Sequence, residues 1–177
     1  MNKSILITGI AGTGKSSVCK EFSKLKYDVF SIEDIKGLFT MINKTTNKPF
    51  EHYSNYDLEI VKQGAWVCDK KKLKRLINKN KEGIVFYCGT AENLDDLWNL
   101  FDHVFLLQTN IRTLKKRLSQ RKSNDFARTK EVQKWVFSGK RKWENHLIKK
   151  GAIVIDAGQS LKKIAASTIK KIQEFEN

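Results

Sequence analysis

The chain is poor in the residues that characterise several classes of protein. Its 177 residues include one proline, Pro49, and three cysteines, at positions 19, 68 and 88, that form no CxxC pair. Neither a structural zinc site nor a disulfide framework is therefore expected. No apolar run approaches the roughly 20 residues that span a bilayer, and the first residues lead straight into a strand-like run. We expect no signal peptide, no membrane partner and a cytoplasmic location with reduced thiols.

Acidic residues are also few, with 19 Asp and Glu against 34 Lys and Arg, so the formal net charge is +15. Such a balance attracts anionic partners. The basic residues are spread over several segments, however, and no RNP, zinc-finger or basic-zipper signature accompanies them. We expect most of them to lie on solvated helix faces. Nucleic acid is thus an alternative partner, less favoured than a small molecule.

Strand-like and helix-like segments alternate along the chain. Several strand-like runs are continuously apolar, which is typical of strands covered on both faces. The alternation predicts a single α/β domain with a three-layer, doubly wound sheet of five parallel strands. Only residues 40–57 look irregular. The predicted strands are 3–8, 27–32, 84–88, 103–107 and 152–156, and the predicted helices are 14–26, 58–79, 110–121, 129–149 and 160–175.

The strongest motif is GIAGTGKS at residues 9–16, which satisfies GxxxxGK[ST] between an apolar strand and a helix-like segment. Its glycines permit the backbone conformations that turn amides inward as an anion nest at a helix N-terminus. Lys15 can reach the β- and γ-phosphates of a nucleotide, Ser16 can bind Mg²⁺, and Ser17 can meet the α-phosphate. The sequence therefore predicts ATP and Mg²⁺ as cofactors. The binding residues would be Gly9, Ala11, Gly12, Thr13, Gly14, Lys15, Ser16 and Ser17.

Two large classes of phosphate-binding-loop proteins fit the sequence poorly. A GTPase would carry an NKxD motif after a strand, where this chain reads LLQTN. An AAA+ or helicase ATPase would need a longer chain and a strand that ends in acidic residues. The strand at 84–88 is followed by GTAEN and has no carboxylate directly at its tip. The short length and a later arginine-rich segment indicate a different subgroup.

That arginine-rich segment, RLSQRKSNDFART at residues 117–129, resembles the small P-loop kinases, which include adenylate kinase, shikimate kinase and related nucleoside or nucleotide kinases. Arg117 and Arg121 lie four residues apart and therefore share one helical face. The resemblance implies a P-loop NTPase fold with a small lid at about 121–130. It further implies that Arg117 stacks on the adenine, that Arg121 reaches the phosphates and that Arg128 closes over the transferring group.

Other segments fit the same resemblance unevenly. The terminal strand and loop resemble those of nucleotide kinases, which implies that Ala157 and Gly158 border the adenine. The lid has Ala127 where these kinases often have a glycine. The Asp-Gly-Phe-Pro-Arg motif of adenylate kinase is absent, and CGTAEN stands in its place. Adenylate kinase itself is therefore a poor match.

A carboxylate follows the second predicted strand in FSIEDI, where the small P-loop kinases keep an acidic residue. Such a group can hold Mg²⁺ through water, or orient and deprotonate the acceptor hydroxyl. Asp34 is the preferred candidate, with Glu33 close behind. The competing interpretation is a carboxylate that only stabilises a helix N-terminus.

The acceptor is expected to contact residues 36–69, because the crossover after the second strand supplies the acceptor pocket in such kinases. Aromatic side chains there can stack on a ring, and Asp57 or Asp69 can bind hydroxyls or an amine, whereas Phe39 and Trp66 are expected in the core. GTAEN follows a strand's carboxyl end, where open α/β sheets bind ligands, and its glycine would let a ligand approach the backbone. The candidate substrate residues are Glu33, Asp34, Asp69, Gly89, Glu92 and Asn93.

The sequence as a whole favours an ATP-dependent phosphotransferase that moves the γ-phosphoryl group of Mg-ATP to a small hydroxylated acceptor. That acceptor would be a nucleoside, a nucleotide or a shikimate-like metabolite. The alternatives are a nucleic-acid-associated P-loop protein, such as an RNA or DNA end kinase, and a nucleotide-binding regulatory module with weak turnover. The chain would act as a monomer or a homodimer. The candidate catalytic residues are Lys15, Asp34, Arg121 and Arg128.

Overall fold

A computed structural model describes residues 3–80, 82–122 and 125–175 of the chain. The seven strands in this part of the chain are β1 (Lys3–Thr8), β2 (Asp28–Ser31), β3 (Phe39–Asn43), β4 (Gly64–Cys68), β5 (Ile84–Cys88), β6 (His103–Gln108) and β7 (Ile153–Asp156). The α-helices are α1 (Lys15–Lys24), α2 (Leu58–Gln63), α3 (Lys70–Lys79), α4 (Leu94–Leu97), α5 (Ile111–Gln120), α6 (Lys130–Lys149) and α7 (Leu161–Glu174). Short 3₁₀ helices cover Ile32–Asp34 and Trp98–Leu100.

Five of the strands form one parallel sheet in the order β2-β5-β1-β6-β7. The predicted five-stranded, doubly wound fold is therefore confirmed. The central strand β1 is buried on both faces, with Ile5, Leu6 and Ile7 each at most 1% exposed, which accounts for its continuous apolar run. The connection from β1 leads to one side of the sheet and that from β6 to the other. Ligands of such sheets bind beyond the carboxyl ends at this point of reversal.

Apolar clusters on the two faces of the sheet make the three layers. On one face, α1 and α7 pack against the sheet through residues such as Phe22 and Ile164, and the rings of Phe22 and Phe86 stack at 3.7 Å. On the other face, α3, α4 and α6 contribute Leu73, Leu97 and Leu147. In the described ranges, no helix has both the length and the apolarity needed to cross a bilayer.

The segment between β2 and β5 differs from the sequence prediction. Residues 58–79 do not form one helix, and residues 40–57 are only partly irregular, because β3 and β4 pair as a two-stranded antiparallel ribbon. Asp57 caps α2 by accepting from the amides of residues 59 and 60. Asp69 caps α3 by accepting from the Lys72 amide at 3.0 Å. The apolar residues of 58–79 are spaced as in one helix, but the two helix caps and the pairing of β4 with β3 divide this segment.

A third apolar cluster connects α5 and α6 with the loop after β1. Leu114 and Leu118 of α5 lie fully buried against Val132 and Phe137 of α6, with Ile10 packed beside them. The cluster fixes α5 against the loop that joins β1 to α1. Asn110 caps α5 by accepting from the amide of residue 113 at 2.8 Å.

We expect the Asp102→Ala substitution to destabilise the sheet by about 1–3 kcal/mol, because it leaves a buried amide without an acceptor. The carboxylate of Asp102 accepts from the amide (2.7 Å) and the hydroxyl (2.8 Å) of Ser4, which is 6% exposed at the start of β1. Urea denaturation measures the loss. The control Asp96→Ala removes an exposed carboxylate from α4 and should cost less than about 0.5 kcal/mol. Equal losses in the two variants would contradict this assignment.

Candidate active site

The loop from Gly9 to Gly14 joins β1 to α1 and forms the N-terminus of that helix. Gly12 and Gly14 have φ of +88° and +101°, in the left-handed region that favours glycine. A Cβ on Gly9 would lie 2.6 Å from Thr13 Oγ1 and 2.9 Å from the Leu107 carbonyl oxygen. No side chain caps α1 at Gly14, and the first amides of a helix have no acceptor within it. The helix therefore presents amide donors at the end of β1, in the arrangement that binds phosphate.

The polar side chains of this loop divide into internal and exposed ones. Thr13 is buried, and both its hydroxyl (2.9 Å) and its amide (3.3 Å) donate to the Ile10 carbonyl. Thr13 therefore holds the shape of the loop, whereas the sequence placed it among the nucleotide-binding residues. Ser16 and Ser17 are exposed in the first turn of α1. The predicted contacts of their hydroxyls with Mg²⁺ and the α-phosphate require this exposure.

Lys15 lies across the phosphate-binding loop. Its ammonium donates to the Gly9 carbonyl at 2.8 Å and lies 4.0 Å from Glu33 Oε1. Only 14% of the side chain is exposed. A cation and a carboxylate from two different strand ends thus meet beside the open amides of α1.

Glu33, and not Asp34, is the acidic residue that faces this cation. Glu33 Oε1 accepts from the Thr90 amide at 2.6 Å, which links the end of β2 to the loop after β5. Asp34 is exposed, accepts from the Ser31 hydroxyl and does not line the cavity. The geometry therefore favours Glu33 over the preferred candidate Asp34, because the 3₁₀ turn at Ile32–Asp34 directs the two neighbouring side chains differently.

Gly89 is required for a reason that the sequence did not reveal. A Cβ there would lie 2.6 Å from Ile32 Cγ1 and 3.1 Å from Glu33 Cγ. The turn that carries Glu33 therefore lies directly against this glycine. The sequence had predicted instead that a ligand would approach the backbone there. The contact brings the Thr90 amide within reach of the Glu33 carboxylate.

The tip of β5 carries a thiol where many nucleotide-binding strands carry a carboxylate. Cys88 is 2% exposed and hydrogen-bonded to Cys19 of α1. Burial raises the pKa of Cys88 well above its ordinary value, and the hydrogen bond lowers the pKa of Cys19. The tip of β5 thus presents a buried thiol, and the carboxylate that lies beside Lys15 is that of Glu33.

A cavity of about 670 Å³ extends from the phosphate-binding loop, with Ile10, Ala11 and Lys15 at that end. The β3–β4 ribbon with the segment after it forms one wall, and α6 forms another. Polar groups are contributed by Glu33, Lys44, Glu92, Arg121 and Lys140. The side chains of the two walls are mostly apolar and include Met41, Tyr53, Trp66, Trp135, Val136 and Trp143.

The predicted acceptor region, residues 36–69, contributes seven residues to the cavity, from Met41 to Trp66. Phe39 lies in the core as predicted, but Trp66, expected in the core, also lines the cavity while its ring stacks on Phe39 at 5.2 Å. Asp69 does not line the cavity. Its carboxylate is exposed, and the hydrogen bond from the Lys72 amide lowers its pKa below the ordinary value.

The two candidates in the loop after β5 have different positions. Glu92 lines the cavity and forms an ion pair with Lys44 at 3.2 Å. Asn93 does not line it, because its amide group bonds both the N–H and the C=O of Cys68, each at 3.0 Å. Asn93 therefore attaches the ribbon to the main sheet, and this structural contact differs from its predicted contact with a substrate.

No function was expected of α6 from the sequence, yet this helix forms a wall of the cavity. Trp135, Gly139 and Trp143 recur every four residues and share one face. The spacing of the tryptophans already indicated an aromatic face on this helix. It was obscured by the basic residues between them, which indicated a solvated helix.

Arg117 connects three parts of the predicted nucleotide site. Its guanidinium donates to the Thr13 carbonyl at 3.0 Å and to the Ala157 carbonyl at 2.8 Å. Ala157 is buried after β7, and the neighbouring Gly158 donates its amide to Asp156 Oδ1 at 2.8 Å. The residues expected at the adenine are thus brought together next to the phosphate-binding loop.

The segment at 121–130 that the sequence assigns to a lid carries two arginines, and its residues 123 and 124 lie outside the described part of the chain. Arg121 lines the cavity and donates to the Phe126 carbonyl. Burial and the neighbouring charge of Arg128 lower the pKa of Arg121. Arg128 itself lines an adjacent cleft with Lys115, Lys116 and Lys130.

Ala127 occupies a backbone conformation that favours glycine. It has φ of +59° and is fully buried, and its carbonyl accepts from Gln133 Nε2 at 3.0 Å. Ala127 thus adopts a left-handed backbone conformation at the position where the small P-loop kinases often have a glycine.

A family model described as an AAA domain matches residues 5–137, well over half of the chain. This match corrects the expectation that AAA proteins could be set aside on chain length and on the end of β5. No curated protein matches the sequence significantly.

Solved structures with the same fold include several small P-loop kinases. Deoxyadenosine kinase from M. mycoides with bound dATP has a TM-score of 0.59 at 18% identity, covering 96% of this chain and 99% of that one. Shikimate kinase from Acinetobacter baumannii in complex with shikimate has a TM-score of 0.60 at 12% identity, covering 98% and 94%. A gluconokinase from Sinorhizobium meliloti 1021 has a TM-score of 0.54 at 13% identity, covering 99% and 97%.

These matches agree with the fold, and they extend over nearly the whole length of each compared chain. The resemblance to the small P-loop kinases is confirmed at the level of the fold. The chain belongs to the AAA domain family and has the fold of the small P-loop kinases.

Proposed function

We propose that the protein is an ATP-dependent phosphotransferase that phosphorylates a hydroxyl group of a small acceptor. The observation that carries the proposal is the meeting of Lys15 and Glu33, 4.0 Å apart, where both line one cavity. Lys15 belongs to the phosphate-binding loop, and Glu33 can accept a proton. The cavity between the β3–β4 ribbon and α6 offers room for an acceptor beside them.

The residues of the phosphate-binding loop fit a nucleoside triphosphate with Mg²⁺. The open amides of α1 and the Lys15 ammonium would bind the β- and γ-phosphates, and the exposed Ser16 hydroxyl would be a metal ligand. A bound Mg²⁺ ion would neutralise part of the phosphate charge. Arg121 and Arg128 are the candidate side chains for stabilising the transferred group, since such catalysis rests mainly on positioning and electrostatics.

Glu33 is the proposed base. The acceptor oxygen forms a bond to the γ-phosphorus while the bond from that phosphorus to the β–γ bridging oxygen breaks, and ADP leaves with the electron pair. The hydroxyl proton passes to the Glu33 carboxylate. The hydrogen bond from the Thr90 amide to Glu33 Oε1 would hold the carboxylate in place for this transfer.

The solved relatives support the choice of a small acceptor. They are described as deoxyadenosine kinase, shikimate kinase and gluconokinase, and each of these names refers to a small hydroxylated molecule. The cysteines at positions 19, 68 and 88 are free and buried, which agrees with the cytoplasmic location expected from the sequence.

A nucleic-acid-associated protein is the second candidate, supported by one observation. A cleft of about 560 Å³ next to the predicted lid is lined by Lys115, Lys116, Arg128 and Lys130. Four cations in one cleft would attract a phosphate backbone. Binding of short RNA that weakens steeply with salt would favour this candidate, whereas turnover of a small acceptor that is indifferent to RNA counts against it.

The Lys15→Ala substitution should weaken binding of Mg-ATP by about 10- to 100-fold, because a charge-assisted contact to the phosphates is lost. Isothermal titration calorimetry measures the affinity, and circular dichroism checks the fold. Lys24→Ala is the matched control, since Lys24 lies at the far end of α1 with its side chain 72% exposed. Unchanged affinity in Lys15→Ala would contradict the assignment of the loop.

The Glu33→Gln substitution should lower kcat by about 100-fold or more, because the proposed base can no longer take up a proton. Acceptor-dependent release of ADP is the measurement, with ATP affinity determined separately. Asp34→Asn is the control: it makes the same chemical change one residue away, outside the cavity. The assignment fails if Asp34→Asn loses more activity than Glu33→Gln.

A further inference from the structure

Two cations of the cavity are already paired with carboxylates of the chain. Lys44 Nζ lies 3.2 Å from Glu92 Oε1. Lys140 Nζ lies 2.6 Å from Glu144 Oε2. Lys44, Glu92 and Lys140 line the cavity, and Glu144 lies behind Lys140 on the next turn of α6.

The pair on α6 is the more tightly held of the two. The side chains of Lys140 and Glu144 are 15% and 3% exposed. Gln108 Nε2 also donates to Glu144 Oε2, at 2.8 Å, while Glu144 Oε1 is buried without a hydrogen-bond donor among the described residues. Withdrawing the Lys140 ammonium would therefore leave a buried carboxylate uncompensated, which is strongly unfavourable. Lys140 is consequently committed to Glu144 and unavailable to an anionic group of a ligand.

The other two cations that line the cavity belong to the proposed nucleotide site. Lys15 lies over the phosphate-binding loop, and Arg121 is the candidate for contact with the transferred phosphoryl group. Of the described residues that line the cavity, Lys15, Lys44, Arg121 and Lys140 are the cations. A phosphate or carboxylate on the acceptor would thus enter a cavity with mostly apolar walls, in which each cation already has a carboxylate partner or a proposed role at the nucleotide. Burial of a charge that gains no partner is costly.

The walls of the same cavity suit a flat apolar body. Trp66 comes from the ribbon, Trp135 and Trp143 come from α6, and Tyr53 and Phe126 complete the aromatic surface. Aromatic side chains bind rings by offset or edge-to-face stacking. Ligand pockets of this size are commonly apolar with a few polar groups that fix orientation.

We propose that the acceptor is an uncharged alcohol that carries a planar ring, and that Glu92 and Glu144 determine this specificity by neutralising Lys44 and Lys140. This inference rests on the proposed function and narrows it. Acceptors that bear a phosphate or a carboxylate are disfavoured, because their charge finds no unassigned cation. The two glutamates act through the lysines and need not touch the acceptor.

The test compares acceptors with and without a charged group. Purine and pyrimidine 2′-deoxynucleosides are matched with their 3′-monophosphates, which keep the same 5′-hydroxyl, and shikimate and gluconate represent carboxylates without an aromatic ring. Acceptor-dependent ADP release gives kcat/KM for each. We expect the uncharged member of a pair to exceed the charged member by at least about tenfold.

Failure of this inference is distinguishable from failure of the proposed function. Efficient phosphorylation of the monophosphates, shikimate or gluconate in preference to the nucleosides would overturn the inference and leave a phosphotransferase in place. If Mg-ATP binds but none of these acceptors causes release of ADP, the inference and the proposed function are both contradicted.

Variants test the role of the glutamates directly. Glu92→Gln frees Lys44 while leaving the exposed side chain similar in shape, so the ratio of kcat/KM for the charged over the uncharged acceptor should rise about twofold to fivefold. Glu174→Gln is the control, because it removes an ion pair with Lys170 on α7, away from the cavity. Glu144→Gln should shift the ratio in the same direction, with its thermal unfolding followed because the site is buried. An unmoved ratio in Glu92→Gln and Glu144→Gln would overturn the assignment.

Discussion

The contact between Lys15 and Glu33 is the constraint on which the rest of the site depends. It requires three neighbouring strand ends: β1 leads into the loop with Lys15, β2 leads into the turn with Glu33, and the Thr90 amide after β5 holds the carboxylate. The parallel sheet places these ends at one edge, where ligands of open α/β sheets bind. Gly89 permits the close approach of the turn and the loop. The fold and the proposed chemistry are therefore connected through main-chain geometry as much as through the reacting side chains.

The parts of the structure that the sequence predicted well depend on local signals. Continuous apolar runs identified the five parallel strands, and the loop motif predicted a phosphate site at the end of β1, because each signal lies within one short segment. The missed features depend on tertiary contacts. The ribbon requires pairing between Phe39–Asn43 and Gly64–Cys68, and no periodicity shows it. The choice between Glu33 and Asp34 depends on how one 3₁₀ turn directs two adjacent side chains, which sequence spacing does not define.

The cavity links the proposed phosphate site to the proposed specificity, because its lysines lie next to carboxylates of the chain. Lys15, Lys44 and Lys140 line the cavity, and each has its ammonium within 4.0 Å of a carboxylate. Aromatic groups from the ribbon and from α6 provide the remaining surface. The sequence placed the acceptor region at residues 36–69, but it revealed neither the pairing of the ribbon nor the contribution of α6 to the cavity. The proposed nucleotide side, in contrast, was predicted from one contiguous motif.

The most direct test of the account follows the terminal phosphoryl group of ATP. The protein is incubated with Mg²⁺, [γ-³²P]ATP and a mixture of nucleosides, and the products are separated by chromatography. The account predicts that the label appears on an acceptor in proportion to ADP formed. Label that appears as inorganic phosphate alone would show hydrolysis without transfer and would contradict the central claim.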